Sequence, residues 1–174
     1  MNRRIMKKQG GFTLVELAVV VAIVGLLLLS LKGVPMIMAN YRANEEIANL
    51  PDITAQVQKH FYSDPDYSTL TTAIVAQYQL VPQTMINGTN IVNRWGGAVT
   101  FSPATSYTAN DTQSMTYNDV PAYECREIVK GVEQNYLSIS VNGTSVKALG
   151  GVLNDTTLAS ACATSNSIVF NASK

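Results

Sequence analysis

Phe12 to Leu31 is a run of twenty residues whose only polar members are Thr13, Glu16 and Ser30, and within it Leu17 to Leu29 are all apolar or glycine. A helix made from such a run has no polar face to turn to water, so it must be covered by lipid or by other protein. Twenty helical residues span about 30 Å, the thickness of a bilayer's hydrocarbon core. Arg3, Arg4, Lys7 and Lys8 precede the run. By the positive-inside rule they hold the N-terminus in the cytoplasm and send everything after about residue 35 to the other side.

Glu16 is the anomaly, because a carboxylate in hydrocarbon costs a few kcal/mol without a partner. Two ordinary readings of the segment leave it unexplained. A cleaved secretory signal needs a small-x-small cut site beyond its apolar stretch, and Lys32-Gly33-Val34-Pro35 offers none. A plain membrane anchor has no use for the charge.

A third reading gives it one. Gly11-Phe12-Thr13-Leu14-Val15-Glu16 resembles the type IV prepilin processing site, Gly-Phe-Thr-Leu-x-Glu. The resemblance implies cleavage between Gly11 and Phe12 by a membrane-embedded prepilin peptidase, often with methylation of the new Phe12 amine. It also implies that Glu16, the fifth mature residue, attracts the terminal amine of a neighbouring subunit during assembly. Opposite charges brought together in a low-dielectric setting offset one another's desolvation. The apolar helix survives cleavage, so it serves as an anchor in the precursor and as filament core afterwards.

The rest of the chain fits an exported head. Twelve Lys and Arg balance twelve Asp and Glu, and without the four basic leader residues eight face twelve, a net side-chain charge of −4. A mildly acidic body lacks the clustered cations that bind phosphate backbones, so nucleic acid is not an expected partner. Cys125 and Cys162 are the only cysteines; in an exported protein an even count reads as a disulfide. His60 is the only histidine, no set of Cys, His and carboxylates has metal-ligand spacing, and no cofactor is expected. His60 reads as a solvated or helix-face residue.

Beyond the apolar run, Gly33 and Pro35 predict a kink or a locally melted stretch. Ile47, Leu50, Ile53, Val57 and Phe61 then recur every three or four residues, an apolar stripe for packing on a sheet. Pro51 lies in that stripe and predicts a second kink or a restart, and Asp64-Pro65 predicts the helix end. After residue 63 Thr, Ser, Asn, Gly and Tyr dominate. Ala98-Val99-Thr100-Phe101, Met115-Thr116-Tyr117, Tyr136 to Val141 and Ser167-Ile168-Val169-Phe170 read as strands, Asn142-Gly143 as a hairpin turn. A short helix is expected over Ala122 to about Val132, with Pro121 near its first turn and Cys125, Ile128 and Val129 on its core side. Trp95-Gly96-Gly97 reads as a turn with a packed indole. Asn87-Gly88-Thr89, Asn110-Asp111-Thr112, Asn142-Gly143-Thr144 and Asn154-Asp155-Thr156 match the glycosylation sequon and are assigned turn roles.

The fold expected is therefore α+β, a long N-terminal helix packed on an antiparallel head with one disulfide in the C-terminal region. Its parts are a leader over 1–11, an assembly helix over 12–34 and a periplasmic head over 35–174. Tyr67-Ser68-Thr69-Leu70, Leu80-Val81-Pro82, Asn93-Arg94-Trp95-Gly96-Gly97 and Val120-Pro121 leading to Cys125 are similar in order and spacing to type IVb pilins, above all those of conjugative-plasmid thin pili. The leader is shorter than that subgroup's, and Phe12 stands where the subgroup often begins with another residue. The resemblance implies a structural subunit, not an enzyme; its partners are further copies of itself, prepilin peptidase, the inner-membrane assembly platform and, before assembly, the membrane. The precursor would sit in the inner membrane with its head in the periplasm, and the mature chain in an extracellular fibre. Minor pilins and type II secretion pseudopilins share this N-terminus, and a membrane-tethered ligand-binding module is the alternative of another class. With one histidine and no nucleophile motif, catalysis has no candidate residues.

Overall fold

The computed structural model describes residues 13–30 and 34–174. Gly11, Phe12 and Gly33 lie outside them. Two compact units are present, Met1–Met38 and Ala39–Lys174. In the first, α1 (Leu14–Ser30) forms within the predicted apolar run, and every side chain from Thr13 to Leu28 is exposed. Among the described residues no helix is long and apolar enough to cross a membrane. α1 has 17 residues, and Phe12 and Leu31, the ends of the predicted span, fall outside the description.

The next helix, α2 (Val34–His60), carries Pro35 in its first turn, where a missing N–H is tolerated. It removes one of the two alternatives expected at Pro51 and corrects the expected end. The helix does not restart at Pro51, which lies inside it. One lost backbone hydrogen bond is a small term beside the burial of Leu50, Ile53, Val57 and Phe61, none more than 1 % exposed. Nor does the helix reach Asp64-Pro65. It ends at His60, and N–H groups of Tyr62 and Asp64 bond to the carbonyls of Lys59 and Phe61 in a turn. That early turn brings Tyr67 back onto Phe61, ring centroids 5.5 Å apart.

The remaining elements are α3 (Thr72–Gln77), β1 (Ile86–Asn87), β2 (Asn90–Val92), β3 (Ala98–Ala104), β4 (Thr112–Pro121), α4 (Ala122–Val132), β5 (Ser138–Val141), β6 (Thr144–Lys147), α5 (Asp155–Ala161) and β7 (Ser165–Ser173). The strands form one sheet, β1-β2-β3-β4-β7-β5-β6, with every pairing antiparallel. Strand β7 shows the period of two that makes this possible: Asn166, Ile168, Phe170 and Ala172 are buried while the residues between them are partly open. Their cross-strand neighbours continue the buried face, with Phe170 opposite Met115 and Ile139, and Ile168 opposite Tyr117 and Val141. The other face presents Thr100, Thr116 and Ser140 in the same registers, the alternation of a sheet wet on one side.

Helix α2 covers the apolar face. Its stripe and the inward residues of β3, β4, β5 and β7 belong to one hydrophobic cluster. Polar bonds fix the seating: Gln113 Nε2 of β4 donates to the Thr54 carbonyl at 3.1 Å, and the Thr54 and Tyr136 hydroxyls lie 2.9 Å apart. The open edge of β3 is closed by α3, whose Thr72 hydroxyl accepts the Phe101 N–H at 2.9 Å. The hairpin predicted at Asn142-Gly143 joins β5 to β6, both residues with positive φ of 51° and 79°.

Between β2 and β3 the chain turns through Asn93-Arg94-Trp95-Gly96-Gly97. Asn93 Oδ1 accepts the N–H groups of Trp95 and Gly97 at 3.0 and 2.9 Å, and Asn93 Nδ2 donates to the Asn118 carbonyl at 2.6 Å. Asn118 sits where β4 bulges against β7. A Cβ on Gly97 would lie 2.0 Å from the Asn118 oxygen, so only glycine fits there. Gly97→Ala should lower the stability of the head by about 3 kcal/mol. Gly88→Ala, whose Cβ would meet nothing within 4 Å, should lose only about 1 kcal/mol through its positive φ. Urea midpoints of the two variants against the parent check the contrast.

Candidate assembly site

At the start of α1, Thr13 and Glu16 bind each other reciprocally. Glu16 Oε2 accepts the Thr13 N–H and the Thr13 hydroxyl, each at 3.0 Å, and Thr13 Oγ1 accepts the Glu16 N–H at 3.2 Å. This is a capping box, which satisfies N–H groups that a helix end leaves without intrahelical acceptors. It also sets the carboxylate at the positive end of the helix dipole. The Glu16 carboxylate thus holds two donors of its own, and such donors reduce the cost of taking a charge out of water. The predicted cut between Gly11 and Phe12 lies just upstream, outside the described residues.

In the head, Cys125 on α4 and Cys162 at the C-cap of α5 form a disulfide with Cα atoms 6.0 Å apart, both inside the core. Asn166 braces the chain leaving it: Nδ2 donates to the carbonyls of Val120 and Ala163 at 2.8 and 2.7 Å, and Oδ1 accepts from Ala163 N and Asn142 Nδ2 at 2.6 and 2.9 Å. The bridge ties α4 to α5, and the Asn166 bonds join the end of α5 to the β5–β6 hairpin, β4 and β7. The loop before β4 is held by Asp111, whose carboxylate accepts N–H groups of Ser106, Tyr107 and Thr108 at 2.8 to 2.9 Å. These bonds keep its carboxyl well below the usual range.

Residues 40–173 match the family described as PilS N terminal, and residues 6–31 match the prokaryotic N-terminal methylation motif. The chain belongs to the PilS family of type IV pilins. The fold agrees. A crystal structure of a type IVb pilin from Salmonella typhi is similar with a TM-score of 0.61 at 19% identity, over 75% of this chain and 99% of that one. The crystal structure of TcpA, a type IV pilin from Vibrio cholerae El Tor, is similar with a TM-score of 0.55 at 16% identity, over 76% and 99%. The NMR structure of the type IVb pilin PilS from Salmonella typhi gives 0.51 at 20% identity, over 76% and 96%. No curated protein matches significantly. The family and its fold are those of structural subunits rather than enzymes.

In this pilin the residues singled out from sequence occupy two places. Thr13 and Glu16 lie at the start of α1, and the cysteines lie in the head. His60 ends α2 on the surface, its ring packed at a tilt against Tyr78 with centroids 4.4 Å apart. Three of the four sequons sit at turns or loops, and Asn154 caps α5 by accepting the Thr157 N–H. Among the described residues no group of three or more His, Cys, Asp and Glu could hold a metal. Sequence reasoning passed over the capping box, although Thr-x-x-Glu before an apolar run is its signature. It also passed over Glu45 and Glu46, which meet Arg94 from a distant part of the chain and carry no local signal.

The loop closed by the disulfide is long, so Cys125→Ser should remove about 4 kcal/mol by the chain-entropy relation. Thermal unfolding of the oxidised pilin and the variant checks this. An unchanged midpoint would mean that the α4 to α5 tie does not support the head.

Proposed function

We propose that this pilin is exported as a precursor, cut between Gly11 and Phe12, and polymerised through α1 into a surface pilus. Before the cut, the basic leader keeps the N-terminus cytoplasmic and α1 lies in the inner membrane with the head in the periplasm. After it, an assembly platform in that membrane passes subunits to the growing fibre, where α1 exchanges lipid for the same helix of other copies.

The observation that carries this reading is the exposure of α1. Its leucines and valines are open all round the helix, with Leu14 85 % and Leu26 69 % exposed, and a helix apolar on every side is stable only when lipid or protein surrounds it. Glu16 decides between the two endpoints. In lipid its carboxylate has its own Thr13 donors. In a bundle of copies it can also meet the positive Phe12 amine of a neighbour, and pairing in low dielectric holds the helices in one axial register. The amine exists only after cleavage, so processing and assembly are coupled by charge, and methylation of Phe12 would leave that charge in place.

Glu16→Val should be exported and cut normally yet yield little sheared fibre. Abundant fibre from that variant would remove the role given to Glu16. Mass analysis of the mature protein should find Phe12 at the N-terminus, and replacement of Gly11 by a bulky residue should accumulate the uncut precursor in the inner membrane.

A further inference from the structure

In the head, one guanidinium serves two carboxylates. Arg94 Nη1 lies 2.5 Å from Glu45 Oε2, and Arg94 Nε lies 3.1 Å from Glu46 Oε1. The carboxylates differ in setting: the Glu45 side chain is 41 % exposed and that of Glu46 only 2 %. Glu46 Oε2 is buried and outside normal hydrogen-bond geometry, and the Tyr117 hydroxyl of β4 is the further donor that faces this carboxylate. The other titratable groups facing this site are the hydroxyls of Tyr117 on β4 and, beyond it, Tyr136, both pushed up by burial and so neutral here. A cavity of about 250 Å³ lined by Glu45, Glu46, Asn49, Thr84, Asn93 and Arg94 opens beside them.

The two sides of this contact are anchored to the core at their ends, with Arg94 and Trp95 between the anchors. Glu45 and Glu46 sit on α2 between Ala43 and Leu50, both buried in the core. Arg94 is delivered by the turn that Asn93 crosslinks and Gly97 locks against Asn118. What can change is the charge. Two carboxylates on one guanidinium leave a net negative charge, and the buried carboxylate bears the larger desolvation cost. Adding one proton to Glu46 leaves a matched pair, Arg94 with the hydrated Glu45.

We propose that Glu45, Glu46 and Arg94 form a proton-operated latch between α2 and the β2–β3 turn. With Glu46 ionised, Arg94 bridges both carboxylates and draws the turn onto α2. When Glu46 takes a proton from solvent, Arg94 is held by Glu45 alone, and the turn, with Trp95 in it, reseats.

The direction of the linkage follows. Burial, against the pull of Arg94, raises the Glu46 carboxyl above its ordinary value of 4.5. The cost of the ionised form is therefore present above the folded value and is relieved as pH falls through it. Across that window acid raises the stability of the head even as it releases Glu46 from Arg94.

Trp95 is the only tryptophan, and its indole Nε1 is buried, so its emission reports the turn. The test is a pH titration of the full-length pilin in detergent from about pH 8 to about pH 4, a range that brackets carboxylate ionisation. It follows Trp95 emission together with the ¹³C shift of the Glu46 carboxyl, with far-UV circular dichroism showing that the fold persists. The expected result is one emission step, with its midpoint above the ordinary glutamate value and coincident with the Glu46 carbon shift. Glu46→Gln should abolish the step, and Glu45→Gln should move it down by about one pH unit, because Arg94 then serves Glu46 alone. An emission step that survives in Glu46→Gln, or that does not coincide with the carbon shift in the parent, overturns the latch. So does a flat emission profile in the parent while Glu46 titrates. The parent measurement decides the matter even if Glu46→Gln fails to fold.

Discussion

The head depends on the contact between the α2 stripe and the inward face of the antiparallel sheet. Leu50, Ile53, Val57 and Phe61 meet a surface made by Phe101, Met115, Tyr117, Ile168 and Phe170, all within one cluster of buried side chains. Burial of large apolar side chains at about 1.5 to 3 kcal/mol each outweighs the one backbone bond that Pro51 removes. The same contact brings Glu45 and Glu46 to the β2–β3 turn and gives α4 a helix to pack on. Gly131 belongs to that packing: a Cβ there would lie 2.5 Å from Ile47 Cδ1.

Helices α1 and α2 are opposite solutions to being apolar. In α2 the apolar residues keep to one stripe and the sheet covers them. In α1 they occupy every side, and no single sheet face could cover them all. In the function proposed above such a helix passes from lipid into a fibre, and Glu16 is what makes the one surrounding different from the other. Lipid offers no cation to its carboxylate, whereas a neighbouring mature N-terminus does. The capping box lowers the cost of waiting without removing the preference for a positive partner.

What could be read in the sequence was whatever has a local cause. The stripe at Leu50 to Phe61, the helix from Ala122 to Val132 behind Pro121, the Asn142-Gly143 hairpin and the closing strand around Ile168 follow from periodicity, a cap or a turn dipeptide, and the structure contains each of them. The absence of a restart at Pro51 and the early stop before Asp64-Pro65 have one origin, burial that only the folded sheet supplies and that outweighs local dihedral preference. Helices α3 and α5 were not anticipated; they are six and seven residues long, too short for a 3.6-residue period to stand out. The Arg94 cluster was illegible because its members come from separate elements, each an ordinary charged residue until α2 and the turn meet. The disulfide was legible from the even cysteine count joined to an export signal, which is a chemical argument about compartment and not about fold.

The central claim is that α1 is the polymerising element and that Glu16 is compensated there by a neighbour. An electron cryo-microscopy reconstruction of sheared native fibres, with their main component identified by mass spectrometry, tests it most directly. The account predicts this chain as the component, α1 helices bundled along the fibre axis, and each Glu16 carboxylate within hydrogen-bonding distance of the Phe12 amine of an adjacent subunit. Fibres built from this chain with α1 outside the core, or with Glu16 far from any N-terminus, would contradict it.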